Sequence, residues 1–222
     1  MRLPAPPSGL GHALFLVALA GFVDAVGYLA LSGLFVSFMS GNSTQFAASL
    51  ASGDGGMALA AGLLILPFLA GATAGALLEE GSPRFAAVLI LAGEAVLLLA
   101  VVVLARGGVS VAHLWPLAFA MGAQNNLRQS VAGATLGSTF VTGALVSTGR
   151  GLARHLSGRA GASAWAPHLA SWTALVVGAV LGGLVFLSAG LGPALAGPAA
   201  ACAGLAALHL PRALRPPAVE IP

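Results

Sequence analysis

The sequence predicts an all-α, polytopic transmembrane helix bundle built from two pseudo-symmetric halves, and three observations carry that prediction. Hydrophobic residues make up 58% of the chain and charged residues 7%, with a mean hydropathy of +0.97. A soluble domain is typically about a quarter charged. Too little charge remains to coat a soluble surface, so apolar solvent must surround most of the chain. The second observation is a series of apolar runs of spanning length, one after another. The third is a pair of short segments, 35–52 and 137–152, rich in Ser, Thr, Asn and Gln and set about a hundred residues apart. Together they define one integral membrane domain over 1–222, with an internal repeat of 11–106 on 109–210.

Taken in order, residues 1–10 hold three prolines and Arg2 and read as a short lead. Residues 12–34 form the first span, interrupted chemically by Asp24. The run exceeds a signal-peptide core and further spans follow it, so it is kept as a helix. The polar stretch 35–52 comes next, closed by the turn Gly53-Asp54-Gly55-Gly56. Residues 57–78 are a span with Pro67 as a kink and Gly71-Ala72-Thr73-Ala74-Gly75 as a small-residue face. After the loop 79–84, residues 85–105 are the most uniform span, broken only by Glu94. About 21 residues at 1.5 Å each cross a ~30 Å hydrocarbon core.

The second half opens with the span 109–131, whose centre reads Gln124-Asn125-Asn126-Leu127-Arg128. A helix carrying that group must turn it toward protein or water. The second polar segment follows, then a loop over 150–163 with Arg150, Arg154 and Arg159, the strongest cytoplasmic marker in the chain. The spans 165–187 and 191–210 complete the half. Gly178-Ala179-Val180-Leu181-Gly182 lies over the 71–75 face of the first half. Ser138-Thr139-Phe140-Val141-Thr142-Gly143 lies over Val36-Ser37-Phe38-Met39-Ser40-Gly41. Crossing polar segments give eight spans and halves of equal orientation; re-entrant ones give six spans and inverted halves. The ~17-residue length of these segments favours tilted crossings.

The net charge of +3 comes from Arg residues that punctuate apolar runs, a topology pattern rather than a nucleic-acid patch. The lone Cys202 cannot form an internal disulfide. The histidines show no metal-ligand spacing, and no nucleophile elbow or phosphate loop is present. Neither an enzyme nor a cofactor protein is therefore expected.

Two polar, Gly-marked breaks in two hydrophobic halves point to a midplane site of transporter type. The expected binding residues are Asp24, Tyr28, Ser40, Asn42, Glu94, Gln124, Asn125, Arg128 and Thr142. Asp24 is the first choice for a coupling proton and Glu94 the second, since intramembrane acids default to functional candidates. Tyr28 is one turn from Asp24 on the same face. Gln124 and Arg128 share a helix face, with Asn125 and Asn126 beside it, more polar surface than one packing seam requires. Asp24 and Arg128 are expected to pair near the repeat axis. The competing reading makes these groups helix-to-helix glue, with Arg128 snorkelling to the interface.

Gly21-Phe22-Val23-Asp24-Ala25, Phe38-Met39-Ser40-Gly41-Asn42, Met121-Gly122-Ala123-Gln124-Asn125 and Thr139-Phe140-Val141-Thr142-Gly143, in that order and spacing, resemble the YoaK-like bacterial membrane proteins, a family of unknown function. Ser40 stands where Thr is usual there. The resemblance covers about residues 14–210 and implies a bacterial, multi-pass inner-membrane protein. It brings no substrate or catalytic residue. The expected function is a secondary transporter or permease for a small polar solute or proton in contact with the lipid bilayer. The alternative is a non-transporting assembly protein, or one that binds lipid or a partner.

Overall fold

The computed structural model describes residues 9–31, 33–127, 129–131, 134–136 and 141–215. The helices are α1 (Leu10–Ala30), α2 (Met39–Ser52), α3 (Gly55–Gly81), α4 (Ala86–Leu104), α5 (Val111–Gln124), α6 (Val141–Leu156), α7 (Ala166–Ala189) and α8 (Leu191–Ala213). Between α5 and α6 lies a small antiparallel hairpin of β1 (Gln129–Val131) and β2 (Ala134–Leu136), paired Gln129 to Leu136 and Val131 to Ala134. The architecture is an all-α bundle.

Among the described residues five helices, α1, α3, α4, α7 and α8, are long and apolar enough to cross a bilayer. Their outward faces are apolar as well: Leu59, Leu66, Val96, Val180, Leu187 and Leu208 are all exposed, Leu187 by 73%. Surfaces of this kind suit hydrocarbon and not water. The chain is a multi-pass membrane protein.

Three close seams set the packing. α1 lies along α7, α3 along α5 and α4 along α8. In the first seam Gly21 meets the Leu175 carbonyl, Gly178 that of Ala18 and Gly182 that of Phe22. In the second, Gly122 meets the Phe68 carbonyl, Gly71 that of Phe119 and Gly75 that of Ala123. A Cβ at any of these positions would overlap backbone, so the small-residue faces read from sequence are the contacts that let the helices touch.

Helix directions follow from these contacts. Residues 11–18 of α1 lie beside 166–177 of α7 and 21–29 beside 175–187, while 63–70 of α3 lie beside 111–119 of α5 and Gly75 beside Ala123, so each pair is parallel. α8 runs antiparallel to α1, because the His12 and His209 rings meet at 5.1 Å. It is antiparallel to α4 too, where Gly192 approaches Val102. The short turn 82–85 makes α3 antiparallel to α4. Hence α1, α4 and α7 point one way and α3, α5 and α8 the other. Since α1 and α3 are antiparallel, the chain between them leaves and returns at the same end of the bundle. The same holds for α6, between the antiparallel α5 and α7. The tilted crossing favoured by segment length alone is therefore not the path α2 takes, because the segment joins α1 and α3 at one end of the bundle.

Local chemistry explains the α2–α3 connection. Gly53, at φ +78°, takes the left-handed conformation that ends α2. The Asp54 carboxylate then accepts from the Met57 N–H at 3.0 Å and opens α3. Two boundaries differ from the sequence reading. α5 stops at Gln124 rather than running to 131, since Asn125 and Asn126 bond back to carbonyls of the preceding turn and compete with the helical ladder. α6 continues through Arg150 and Arg154 to Leu156, so the basic loop is shorter than 150–163.

Candidate functional site

Beyond α1 the chain folds back along the helix it has just left, and Asp24 holds it there. Asp24 Oδ1 accepts from the N–H of Val36 at 2.9 Å and of Ser37 at 2.7 Å, and Oδ2 accepts from Ser37 Oγ at 2.6 Å. Gly27 makes room for the returning Val36 side chain. Asn42 secures the next stretch: its Oδ1 accepts from Phe35 N at 2.9 Å and its Nδ2 donates to Phe35 O at 2.6 Å. The amide stands in for a neighbouring strand, satisfying both backbone groups of a residue that has no helical partner. α2 therefore starts at the depth of Asp24, inside the bundle.

This fold-back opens a cavity of about 690 Å³ between α1, α7, the returning segment and the start of α6. Asp24, Tyr28, Ser37 and Thr142 are its polar lining, and Phe35, Phe38, Leu175 and Leu184 are among the apolar walls. The Tyr28 and Phe35 ring centroids lie 5.0 Å apart; those of Phe35 and Phe38 lie 5.2 Å apart, edge to face. The volume suits a small organic ligand. A carboxylate can accept about four hydrogen bonds. The Ser37 hydroxyl and the N–H groups of Val36 and Ser37 hold the Asp24 oxygens, and the Phe38 N–H also faces the carboxylate, so a ligand donor would share an oxygen already engaged by the chain.

The nine sequence-predicted residues separate into groups. Asp24, Tyr28 and Thr142 share the cavity wall. Asn42 is buried and committed to Phe35, while Ser40 is exposed on α2 and its carbonyl accepts from Thr44. Asn125 turns its Nδ2 back to the Met121 carbonyl at 2.8 Å. Arg128, and with it the expected pair with Asp24, lies outside the described residues. Glu94 and Gln124 sit in the bundle interior away from this cavity, 1% and 2% exposed.

Reasoning from sequence missed Ser37, which supplies two of the three donors to Asp24, and the Phe35–Phe38 walls. A signal for Ser37 was present, because its hydroxyl aligns with Thr139 of the other half. Asn126, expected in a polar arc, instead donates its Nδ2 across the seam to the Ala72 carbonyl of α3 at 3.0 Å.

An all-helical, multi-pass membrane protein with a cavity at a helix break is the class that fold and site define. The chain belongs to the family described as Protein of unknown function (DUF1275), whose model matches residues 12–208. That family includes the YoaK-like proteins. The chain is similar to the UPF0700 transmembrane protein RA0705 of Rhizobium meliloti (strain 1021), with 35% identity over 182 residues, 82% of this chain and 78% of the relative. No solved structure matches it.

Proposed function

We propose that the protein is a permease of the bacterial inner membrane, formed by one domain whose halves, 11–106 and 109–210, are inverted repeats. It binds and moves a small solute without transforming it. The observation that carries this reading is the cavity beside Asp24, bounded by the break after α1 and by Thr142 at the start of the corresponding helix α6. Sites of this kind at repeat interfaces serve alternating access.

The repeat has independent support in the seams. Gly21, Ala18 and Phe22 of α1 have their counterparts in Gly122, Phe119 and Ala123 of α5, at one constant offset. Leu175, Gly178 and Gly182 of α7 correspond likewise to Phe68, Gly71 and Gly75 of α3. With α2 and α6 re-entrant there are six crossings, and the halves face opposite ways. The cavity lining is more apolar than a site for a purely polar solute. An apolar body with one or two hydrogen-bond donors fits it best, the body against Phe35, Phe38 and Leu184 and a donor on Asp24.

Two experiments test this reading. Vesicles with and without the protein are compared for uptake and efflux over a panel of small metabolites and amphipathic solutes. A protein-dependent flux that is lost in Thr142→Leu supports the permease, and no flux across the panel counts against it. Single cysteines at Ser82 and Ser157, with Cys202 first replaced by Ala, should label from the same face. Labelling from opposite faces rejects the six-crossing scheme.

A second reading has one specific observation behind it. The cavity rim includes Leu29, Val180, Leu184 and Leu187, all exposed on the lipid-facing surface. A lipid-binding, non-transporting protein would take an acyl chain through that rim. Co-purified lipid that protects the cavity from labelling, in the absence of any flux, favours it.

A further inference from the structure

The second buried acid lies in different surroundings. Glu94 is near the centre of α4, and both of its carboxyl oxygens lack a hydrogen-bond partner among the described residues. The amide N and O of Gln124 lack one too.

The two side chains occupy one layer of the bundle. One turn from Glu94 on either side, Leu91 packs with Leu16 and Ala206, while Leu98 belongs to the larger apolar cluster. Gln124 is placed in the same way on α5, between Met121 of the larger cluster and Leu127 against the smaller. On α8, Cys202 and Ala206 bracket the same level. A polar layer thus lies between two dry plugs. A cavity of about 450 Å³ reaches Glu94 from between α3, α4 and α5, walled by Ala74, Gly93, Leu97 and Ala120.

We propose that Glu94 is a proton-binding site in the membrane interior, with the Gln124 amide as the dipole of its layer and the cavity between α3, α4 and α5 as its approach. An unpaired carboxylate is expensive at that depth, and binding a proton removes most of the expense. Release of the proton is eased by a dipole at the same level of the bundle, the part assigned to the Gln124 amide. A metal cation is a poorer occupant. The side chains offer three oxygens in aliphatic surroundings, whereas hard cations take about six or more. The titratable group that faces Glu94 from α8 is Cys202. α3 and α5 present Ala74, Gly75, Phe119 and Ala120 to it. The inference does not depend on the α1–α7 cavity passing a solute.

A hydrophobic carbodiimide tests it on the unmodified protein, because that reagent adds to a protonated carboxyl in an apolar setting. Vesicles are treated with dicyclohexylcarbodiimide from about pH 5 to about pH 9, and the adduct is located by peptide mass. The expected adduct is on Glu94. Its yield falls about tenfold per pH unit above the midpoint, as for a single ionising group, and sodium at fixed pH leaves it unchanged. Gln124→Leu should move the midpoint while keeping the adduct. An adduct that is absent at every pH, independent of pH, suppressed by sodium, or found on Asp24 in place of Glu94 overturns the proton site. An unmoved midpoint in Gln124→Leu overturns the part given to the amide.

Discussion

The bundle carries two acids near helix centres, and they are used in opposite ways. Asp24 sits at the wall of an open cavity, yet three donors from the returning segment hold its oxygens. Glu94 is buried at the cavity between α3, α4 and α5, with no hydrogen-bond partner for its carboxyl oxygens among the described residues. A carboxylate that satisfies two backbone N–H groups and a hydroxyl contributes to folding, because its loss strands those donors. One that satisfies no donor contributes little to folding. A place on the larger cavity and a carboxyl without donors thus belong to two different residues, where the sequence reading puts Asp24 first.

The largest effect that would test this contrast is Asp24→Leu. Stranding the N–H groups of Val36 and Ser37 and the Ser37 hydroxyl, at about 1–3 kcal/mol each, predicts a loss of at least about 3 kcal/mol in detergent unfolding. Asp24→Asn keeps one acceptor and should lose clearly less. If both variants melted like the parent, Asp24 would not be the anchor of the fold-back.

An intermediate effect separates the two breaks. A Cβ on Gly41 would come within 2.6 Å of the Phe38 ring and 3.0 Å of that of Phe35, whereas one on Gly143 meets nothing within 4 Å among the described residues, which do not include Phe140, the counterpart of Phe38. Gly41→Ala should therefore cost about 1–3 kcal/mol by overpacking. Gly143→Ala, in an open helical position, should be neutral or gain up to about 1 kcal/mol. Paired melting curves decide it, and equal losses at both would mean the breaks are packed alike.

The smallest effect belongs to Glu94→Leu. Replacing an unsatisfied buried acid by an apolar side chain of similar size should change stability by less than about 1 kcal/mol, or raise it. A loss comparable to that of Asp24→Leu would mean that Glu94 has structural partners after all, and the contrast between the acids would fail.

Much of this was legible in the sequence because it depends on composition and spacing. Apolar runs of spanning length placed α1, α3, α4, α7 and α8. The Gly71-to-Gly75 and Gly178-to-Gly182 faces turned out to be the seams. What stayed hidden depends on where the chain turns in space. Length alone permits a tilted crossing for 35–52, and only the bonds from Val36 and Ser37 to Asp24 reveal that this segment doubles back. The end of α5 at Gln124 was concealed by an amide-rich stretch that reads equally well as a cavity face or as a helix stop. Equal hydropathy also hid the difference between the acids, since a one-dimensional reading cannot tell how many donors surround a carboxylate.

The seams carry a consequence for how the protein is made. α1 finds its glycine-to-carbonyl partner in α7, and α3 finds its own in α5, so each half completes its packing only with helices of the other. α1, made well before α7, must wait in the bilayer with its Gly21 face unmated until α7 has been synthesised. Truncation after α4 leaves that face and the Gly71–Gly75 face both bare, ready to pair with whatever small-residue helix is near. Chains severed between α4 and α5 should accordingly reassemble when the two pieces are made together, and neither piece should persist when made alone.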